Sequence, residues 1–529
     1  MGIIKSIRIV GFKKFKNFEM DFNEGMNILV GENEAGKSTI LEAIEIVLNQ
    51  KYKTTEKAAL QELFNVENIS EFEKSPSFLT LPKILIELDL ELDPKKKNSE
   101  SFMGEEFLNK SKGKDKTRYG ISFECSFNEE LGSGLEKYVS EANIPVEYYD
   151  LKWTTYANKS YTALKRPLSM ISINTSHSSS ANLIFNQYHR NLFETLYSEE
   201  ERLRFKSQFR AMVEKLPQEI ELGKIDDKRS FAIDSKRSVL EGMLAVREAN
   251  IPLANCGSGV ESLIKTEIAL STPKHINVIL LEEPEHHLCP TNLRKMIRQI
   301  QNRKESSQFI ITTHNNLIAS HLDLRSVLWI ADSGVMSLKR VTKDVADFFI
   351  KAVHSSFLQL LLAKKALIVE GATEALLIPY FYKKIYGHTL EEDMITIISC
   401  DGIAYKRYLD AVKQTNKIIA VITDNDQSEN KINLAKECEG ENIKIFMGQD
   451  INEQWTWEAC IYQKNRDQLC ELIKVDPKAE YKFNGASYGQ VLGKMLNNKV
   501  ETAYTMLNSG KSWEAPDYLI EAFKWVRKE

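Results

Sequence analysis

The sequence predicts an α/β protein of two units: a P-loop ATPase head interrupted by a helical insertion, then a Rossmann-like parallel sheet in the last third. Three observations carry this. "GENEAGKST" (31–39) follows a strand-like apolar run and opens a helical pattern. "VILLEEPEHHL" (278–288) is an apolar run that ends in paired acids. Beyond residue 363, short apolar runs alternate with helical stretches, the rhythm of βαβ units.

Taken in order, "IIKSIRIVGF" and "MNILVGE" read as strands, and "STILEAIEIVLNQ" has the apolar spacing of a helix. "PKILIELDLEL" (82–92) alternates as a further strand, and the lysine-rich stretch 93–120 reads as a surface loop. "ERLRFKSQFRAMVEKL" and "RSVLEGMLAVREA" are expected to be amphipathic helices. Strand signals return at "INVILLEEPE" and "SQFIITTHN", and "VADFFIKAVHSSFLQLLLAKK" reads as a helix. Then "ALIVEG", "MITIISC" and "KIIAVITD" are strands, separated by the helices "EALLIPYFYKKIYG" and "YKRYLDAVKQ". The expected divisions are 1–165 and 256–345 for the head, 166–255 for the insertion, 346–362 for a linker helix, and 363–529 for the second sheet with a helical extension.

Composition sets the outer limits. The 529 residues are 43% hydrophobic and 27% charged, as in a globular chain, with a net charge of −4. Any DNA contact must therefore come from a local basic surface, not from the overall field. "RIVGFKKFKNF", "DPKKKNSE" and "RKMIRQIQNRK" are such clusters, although a solvated face is the commoner meaning of a lysine run. Apolar runs stop short of the roughly 18 residues that span a bilayer, so no membrane is expected. The first residues lack the parts of a signal peptide, and "GII" reads as the start of a strand rather than a myristoylation site. Seven cysteines without a CxxC pair suit a reducing, cytoplasmic location.

Two sites stand out. In "GENEAGKST", Gly31 and Gly36 let backbone N–H groups wrap phosphates, and Asn33 and Thr39 lie in the same loop. Lys37 would reach the terminal phosphates of ATP, and Ser38 would ligate Mg²⁺. Glu282 takes the metal-side position at the end of the later strand, and Glu283 that of the base that polarises water. His314, at the end of "FIITTH", is placed to sense the γ-phosphate. The second site is a set of strand-end acids: Glu370 in "ALIVEGATE" with Glu374 just beyond, Asp424 and Asp426 in "VITDND", and Glu458 in "WTWEACI". Strands of a parallel sheet share their C-terminal edge, so acids distant in sequence can converge there. Hard oxygen ligands suit Mg²⁺ or Mn²⁺. Two such ions could stabilise the attacking and leaving oxygens of phosphodiester cleavage.

The order of the first site resembles ABC-type ATPases of the SMC and Rad50-like group, whose heads begin much as "IKSIRIVGFKKFKNFEMDFNEGMNILVGENEAGKSTILEAI" does. By that resemblance "NCGSGVES" is the signature. Ser258 and Gly259 would touch nucleotide held by a second copy, implying a homodimer or higher homo-oligomer through the heads. Glu261 stands where a Gln is usual, and the leading Leu is missing. No heptad run marks a coiled-coil arm. A strand-end Glu followed by D-x-D resembles a Toprim domain, and a head fused to Toprim resembles the OLD (overcoming lysogenization defect) family of ATP-linked nucleases. "LLEEPEHHLCP" is similar to that family's Walker B region.

The resemblance implies metal ligation by Glu370, Glu374, Asp424, Asp426 and Glu458, with catalytic help from a lysine. Lys499 is the candidate and Lys494 its rival. It also implies that the insertion dimerises, and that His286 and His287 lie in a loop between heads. The expected function is an ATP-gated, metal-dependent DNA endonuclease. Relatives such as the Gabija nuclease subunit and retron-associated effectors suggest anti-phage defence with a co-encoded helicase or reverse transcriptase. The alternative is a DNA-binding ABC ATPase with a non-catalytic, regulatory Toprim domain. A topoisomerase-like activity would need a tyrosine nucleophile that no motif marks.

Overall fold

Alternating burial makes the first strands. In β1 (Ile3–Phe12) the apolar side chains point into a core while Lys5 is exposed, and β2 (Phe15–Asp21) folds back on it antiparallel. The computed structural model describes residues 2–52, 57–95, 98–104, 118–131, 134–174, 192–194, 196–219, 224–226, 229–230, 240, 243–248, 250–271, 276–286, 288–303, 306–315, 318, 322, 324–331, 334–337, 339, 356, 359–360, 363–400, 404–412, 417–476 and 481–528. These divide into two units, one of residues 1–314 and 326–337, the other of 315–325 and 338–529.

The first unit contains two sheets. β4 (Ile84–Glu91), β5 (Met103–Gly104) and β6 (Arg118–Phe127) join the first hairpin in the order β2-β1-β4-β6-β5, and β7 (Tyr149–Thr155) pairs with β6. The other sheet holds β3 (Met26–Gly31), β8 (Met170–Asn174), β13 (Val278–Glu282), β14 (Gln308–Thr312), β15 (Val327–Ala331) and β16 (Gly334–Ser337). Its order is β16-β15-β3-β14-β13-β8, parallel except for β16. Between β8 and β13 lie two short ribbons, β9 (Lys224–Asp226) with β10 (Arg229–Ser230), and β11 (Arg247–Glu248) with β12 (Ile251–Pro252).

A buried glutamine ties the two sheets. The Gln308 side chain accepts the Ile4 N–H at 2.8 Å and donates to the carbonyls of Ile4 (2.8 Å) and Asn23 (2.9 Å). The helix Lys37–Asn49 buries Ile40, Leu41, Ile44, Val47 and Leu48. Carbonyls in its last turn, without partners inside the helix, accept from Trp153 Nε1 (2.8 Å to Ile46) and the Tyr161 hydroxyl (3.0 Å to Leu48).

Three expectations meet the structure here. β8 lies inside the span 166–255 assigned to a helical insertion, yet it is an edge strand of the head sheet, so the head extends to at least residue 174. The helix expected from "ERLRFKSQFRAMVEKL" is present as Glu199–Glu219. In "RSVLEGMLAVREA", Arg247 and Glu248 are instead strand residues opposite Pro252 and Ile251. Pro252 has no N–H to continue a helical ladder. The linker helix 346–362 falls mostly outside the described residues.

The second unit is built on a four-stranded parallel sheet: β17 (Lys365–Val369), β18 (Ile395–Ser399), β19 (Ile418–Ile422) and β20 (Ile443–Phe446), in the order β18-β17-β19-β20. The helices Ala372–Tyr386, Trp457–Lys464, Lys499–Asn508 and Asp517–Arg527 cover it around buried Trp457, Trp513 and Phe523. A short hairpin, β21 (Lys482–Phe483) and β22 (Ala486–Ser487), precedes the helix Gln490–Asn497. No helix of the described residues is long and apolar enough to cross a membrane.

Candidate functional site

Parallel register brings the first site together. β3 runs into Gly31 between β14 and β15, so the P-loop leaves the sheet beside the ends of β13 and β14. Gly36 has φ 94°, and a Cβ there would come within 2.3 Å of the Phe15 ring, which makes glycine obligatory. Asn33, Gly36, Lys37, Ser38, Thr39, Glu283 and His314 line one cavity of about 460 Å³, together with Lys14 and Glu34. Gly31 and Glu282 border that edge without lining the cavity, and neither Ser258 nor Gly259 lines it. The latter two begin the helix Ser258–Ser271, where Glu261 pairs with Lys265 at 2.5 Å.

Charges in this cavity are mixed. Lys37 donates to the carbonyls of Gly31 (3.1 Å) and Glu32 (2.9 Å), and burial pulls its ammonium below the ordinary range despite Glu283 and Glu285. Glu283 stands 2.9 Å from His286 Nε2 and 3.5 Å from His314 Nε2. Its φ of 44° puts a non-glycine residue in the left-handed region. Burial and then Lys37 push the His314 imidazole down. Glu282 accepts from Asn174, its register neighbour on β8.

Two of these partners carried no motif signal. Glu285 accepts the His314 N–H (2.9 Å) and the Thr313 hydroxyl (2.7 Å), so it positions the strand end that bears the histidine. Asn174 belongs to an edge strand that was expected to lie in the insertion. His287 lies outside the described residues.

The second site forms where β17 and β19 end side by side, with Val369 opposite Ile422. Glu370 and Thr423 are therefore neighbours. The Thr423 hydroxyl and the Asp424 N–H (3.2 Å) both donate to Glu370 Oε1. Asp424 Oδ1 accepts the Trp457 N–H at 2.8 Å. The Thr456 hydroxyl lies 2.7 Å from Asp424 Oδ2 and 2.9 Å from Glu458 Oε2. One hydroxyl has a single proton to give, so it can bond both oxygens only if one acid is protonated.

The electrostatics agree. Burial, then Glu370, raises Asp424 to about 8, and burial with Glu458 and Glu370 raises Glu374 to about 7. Lys499 donates to Glu458 Oε2 at 2.8 Å. Burial lowers that ammonium, but Glu458 outweighs it and holds the group above its ordinary value. The rival Lys494 is committed elsewhere, to the Lys474 carbonyl at 2.6 Å.

Glu370, Glu374, Asp424, Glu458 and Lys499 thus share one neighbourhood. Asp426 does not join them: it is exposed, at φ 48°, and pairs with Lys431. Among the described residues no three acid, histidine or cysteine side chains close around the position of a single ion. The acids are spread instead over hydrogen bonds to Thr423, Thr456 and Trp457. A divalent cation nonetheless fits the chemistry: the donors are hard oxygens, and the buried acids exceed the cationic charge beside them.

Asn425, between the two aspartates, is fully buried. Its amide donates to the carbonyls of Gly448 (2.8 Å) and Gln454 (3.0 Å). At Gly448 a Cβ would meet the Gln454 carbonyl at 2.2 Å, so this loop can close only on glycine. Thr456 sits at the N-cap of the helix Trp457–Lys464 but caps nothing with its side chain, because its hydroxyl serves the acids. Its sequence position signals a helix start and hides that second use.

Comparison with known proteins agrees with both halves. A family model described as "AAA ATPase domain" matches residues 3–319, and one described as "Overcoming lysogenization defect protein-like, TOPRIM domain" matches 361–426. Old nuclease of Escherichia phage P2 is 26% identical over 197 residues, 34% of this chain and 33% of that protein, so the match spans a third of its length. The DNA replication and repair protein RecF of Exiguobacterium sp. is 39% identical over 54 residues, 10% of this chain and 14% of that one. Among solved structures, that of the recombination mediator protein RecF-ATP aligns over 64% of this chain and 97% of its own, with 12% identity and a TM-score of 0.34.

Proposed function

We propose that this chain, which belongs to the AAA ATPase domain family and joins that domain to an OLD-like Toprim domain, is a divalent-metal-dependent DNA endonuclease whose ATP-binding head gates or assembles it. The observation that carries this reading is the meeting of Glu370, Glu374, Asp424, Glu458 and Lys499 at the ends of β17 and β19.

A bound Mg²⁺ or Mn²⁺ would supply Lewis-acid charge on the scissile phosphate and a more acidic water. The protein's part is to hold Glu370, Asp424 and Glu458 at one edge and to set Lys499 where it can steady a phosphate oxygen. Burial of Glu374 and Glu458 (7% and 3% exposed) excludes water from the acids. Asp426 is the remaining member of the proposed ligand set and would have to leave its ion pair with Lys431 to join it. In the head, Asn33, Gly36, Lys37, Ser38 and Thr39 bind the phosphates, Glu282 the metal side, and Glu283 with His314 the γ-phosphate side. Ser258 and Gly259 would complete the site of a second copy, so the active form is a homodimer or larger, with residues 175–255 as its further contact. Cytoplasmic anti-phage defence, with a co-encoded partner, is the role this reading suits.

A second reading has its own support. The acids bond Thr423, Thr456 and Lys499, as those of a regulatory Toprim domain beside a DNA-binding ATPase would. Supercoiled plasmid with Mg²⁺ or Mn²⁺, with and without ATP, separates the two. Nicking by the wild type that is lost in Glu370→Ala is expected, while Lys37→Ala reports whether nucleotide gates it. Absence of nicking in every condition would sink the endonuclease.

A further inference from the structure

The head carries an exposed apolar face around a small core of its own. Phe72, Leu81 and Val139 form that core and are buried, while Phe78, Leu79, Leu131, Tyr138 and Tyr148 are exposed. The Phe78 ring lies 5.4 Å from Phe127, which packs on the same core. Backbone bonds to Asn128, next in the chain, hold Leu131 (3.1 Å) and Tyr148 (2.9 Å) beside that ring. Leu79 is 97% exposed, and its turn is stiff. Thr80 Oγ1 accepts the Ser77 N–H (3.1 Å) and donates to the Ser75 carbonyl (2.7 Å), and prolines stand at 76 and 82. A contiguous apolar patch with a polar rim marks an interaction site.

The rim is acidic. Glu73, Glu129, Glu130 and Glu136 are exposed and, among the described residues, have no ion-pair partner. The segments 72–80 and 128–141 set only Lys74 and Lys137 against them, and Lys137 pairs with Glu141 at 3.9 Å. Such a rim repels a nucleic-acid backbone and suits a cationic protein face. This chain carries one. The helix Glu199–Glu219 turns Phe205 toward Phe193 (6.1 Å) and Tyr197 (5.2 Å). Leu203, Ser207 and Ala211, at four-residue intervals on another face, are exposed, with exposed Arg204 and Arg210 beside them. From 202 to 215 five residues are basic, and Glu214 alone is acidic. A leucine flanked by arginines complements a leucine ringed by glutamates, apolar at the centre and opposite in charge at the rim.

We propose that the patch around Leu79 receives the helix Glu199–Glu219 of a second copy, each copy giving its helix to the other in a two-fold pair. This deepens the proposed homodimer by naming what the helix meets, and it rests on that part of the reading, not on DNA cleavage. The test uses the full chain without nucleotide, with sedimentation velocity read over a concentration series. Glu129→Lys with Glu130→Lys reverses the patch, and Arg204→Glu with Arg210→Glu reverses the helix. Each variant alone should dimerise at least about tenfold more weakly, with thermal melting unchanged, because like charges then face each other. Mixed in equal amounts, the two variants should form a heterodimer of wild-type affinity, since each helix then meets a rim of opposite charge. Mixing cannot mend a contact made within one chain. Leu79→Ala should also weaken the dimer. Wild-type affinity in both charge variants, or a mixture no tighter than either alone, would overturn the docking and leave a head-to-head dimer standing. A wild type that is monomeric throughout would overturn the nucleotide-free pair, and plasmid nicking remains a separate measure of the endonuclease.

Discussion

The two acidic sheet edges invite comparison, because each places carboxylates where parallel strands end. In the head, the acids meet cationic or neutral partners of their own: Glu283 lies beside His286 and His314, Glu282 takes the Asn174 amide, and Lys37 sits in the same cavity. In the second unit, Glu370, Glu374, Asp424 and Glu458 crowd together with Lys499, and two of them are pushed far up. The first edge is nearly balanced and suits a metal that arrives with a polyanion. The second crowds acids whose mutual repulsion is relieved by proton uptake or by a bound cation. One motif, a strand ending in two acids, therefore serves opposite electrostatic purposes, and the neighbours decide which.

The sharpest way to break this contrast is Asp424→Ala. It should cut nicking by at least about 100-fold, the upper range for groups that merely support a metal ligand, with ATP affinity intact. An equal loss of ATP affinity would mean that the edges are not separate sites. Next come two buried amides, Gln308 at the far end of β14 from the head's acidic edge and Asn425 beside the acids of the second. Gln308→Ala and Asn425→Ala each strand buried backbone partners and should destabilise by about 1–3 kcal/mol. Hydrogen exchange should localise the first to β14 and the second to β19. Loosening of the same strands in both variants would argue against two independent edges.

The smallest effect on metal binding lies in pH. Asp424 and Glu374 rise from ordinary values of 3.8 and 4.5 to about 8 and about 7. A raised carboxyl favours the folded state while protonated, so without metal the second unit should lose stability as pH climbs from about 4 through 8. A cation requires both groups ionised, so its affinity should fall about tenfold from pH 8 to pH 7. Calorimetry in buffers of different ionisation enthalpy would register the released protons. Metal affinity that is flat over that interval would place the ion elsewhere.

Much of this was legible in the sequence because the strongest signals are local. The P-loop glycines, the alternation of 3–12 and the apolar runs before Glu282, Glu370 and Asp424 each declare an element and its end within ten residues. Lys499 was legible only as one of two lysines; what separates them is a carbonyl 20 residues away that occupies Lys494. Glu285, Asn174, Asn425 and Thr456 act through partners brought in by the sheet, so their ordinary local meanings (turn acid, edge polar residue, turn residue, helix cap) masked them. The strand at 170–174 is hard to read because it is five residues long and runs straight into the Ser- and Asn-rich stretch 174–182, inside the span expected to be insertion.

Glu283 and Asp426 share a backbone shape, with φ 44° and 48°. That shape costs a side-chain-bearing residue about 1–2 kcal/mol relative to glycine. Glycine at either position would remove that cost, so Glu283→Gly and Asp426→Gly should each melt no lower than the parent chain while losing the carboxylate.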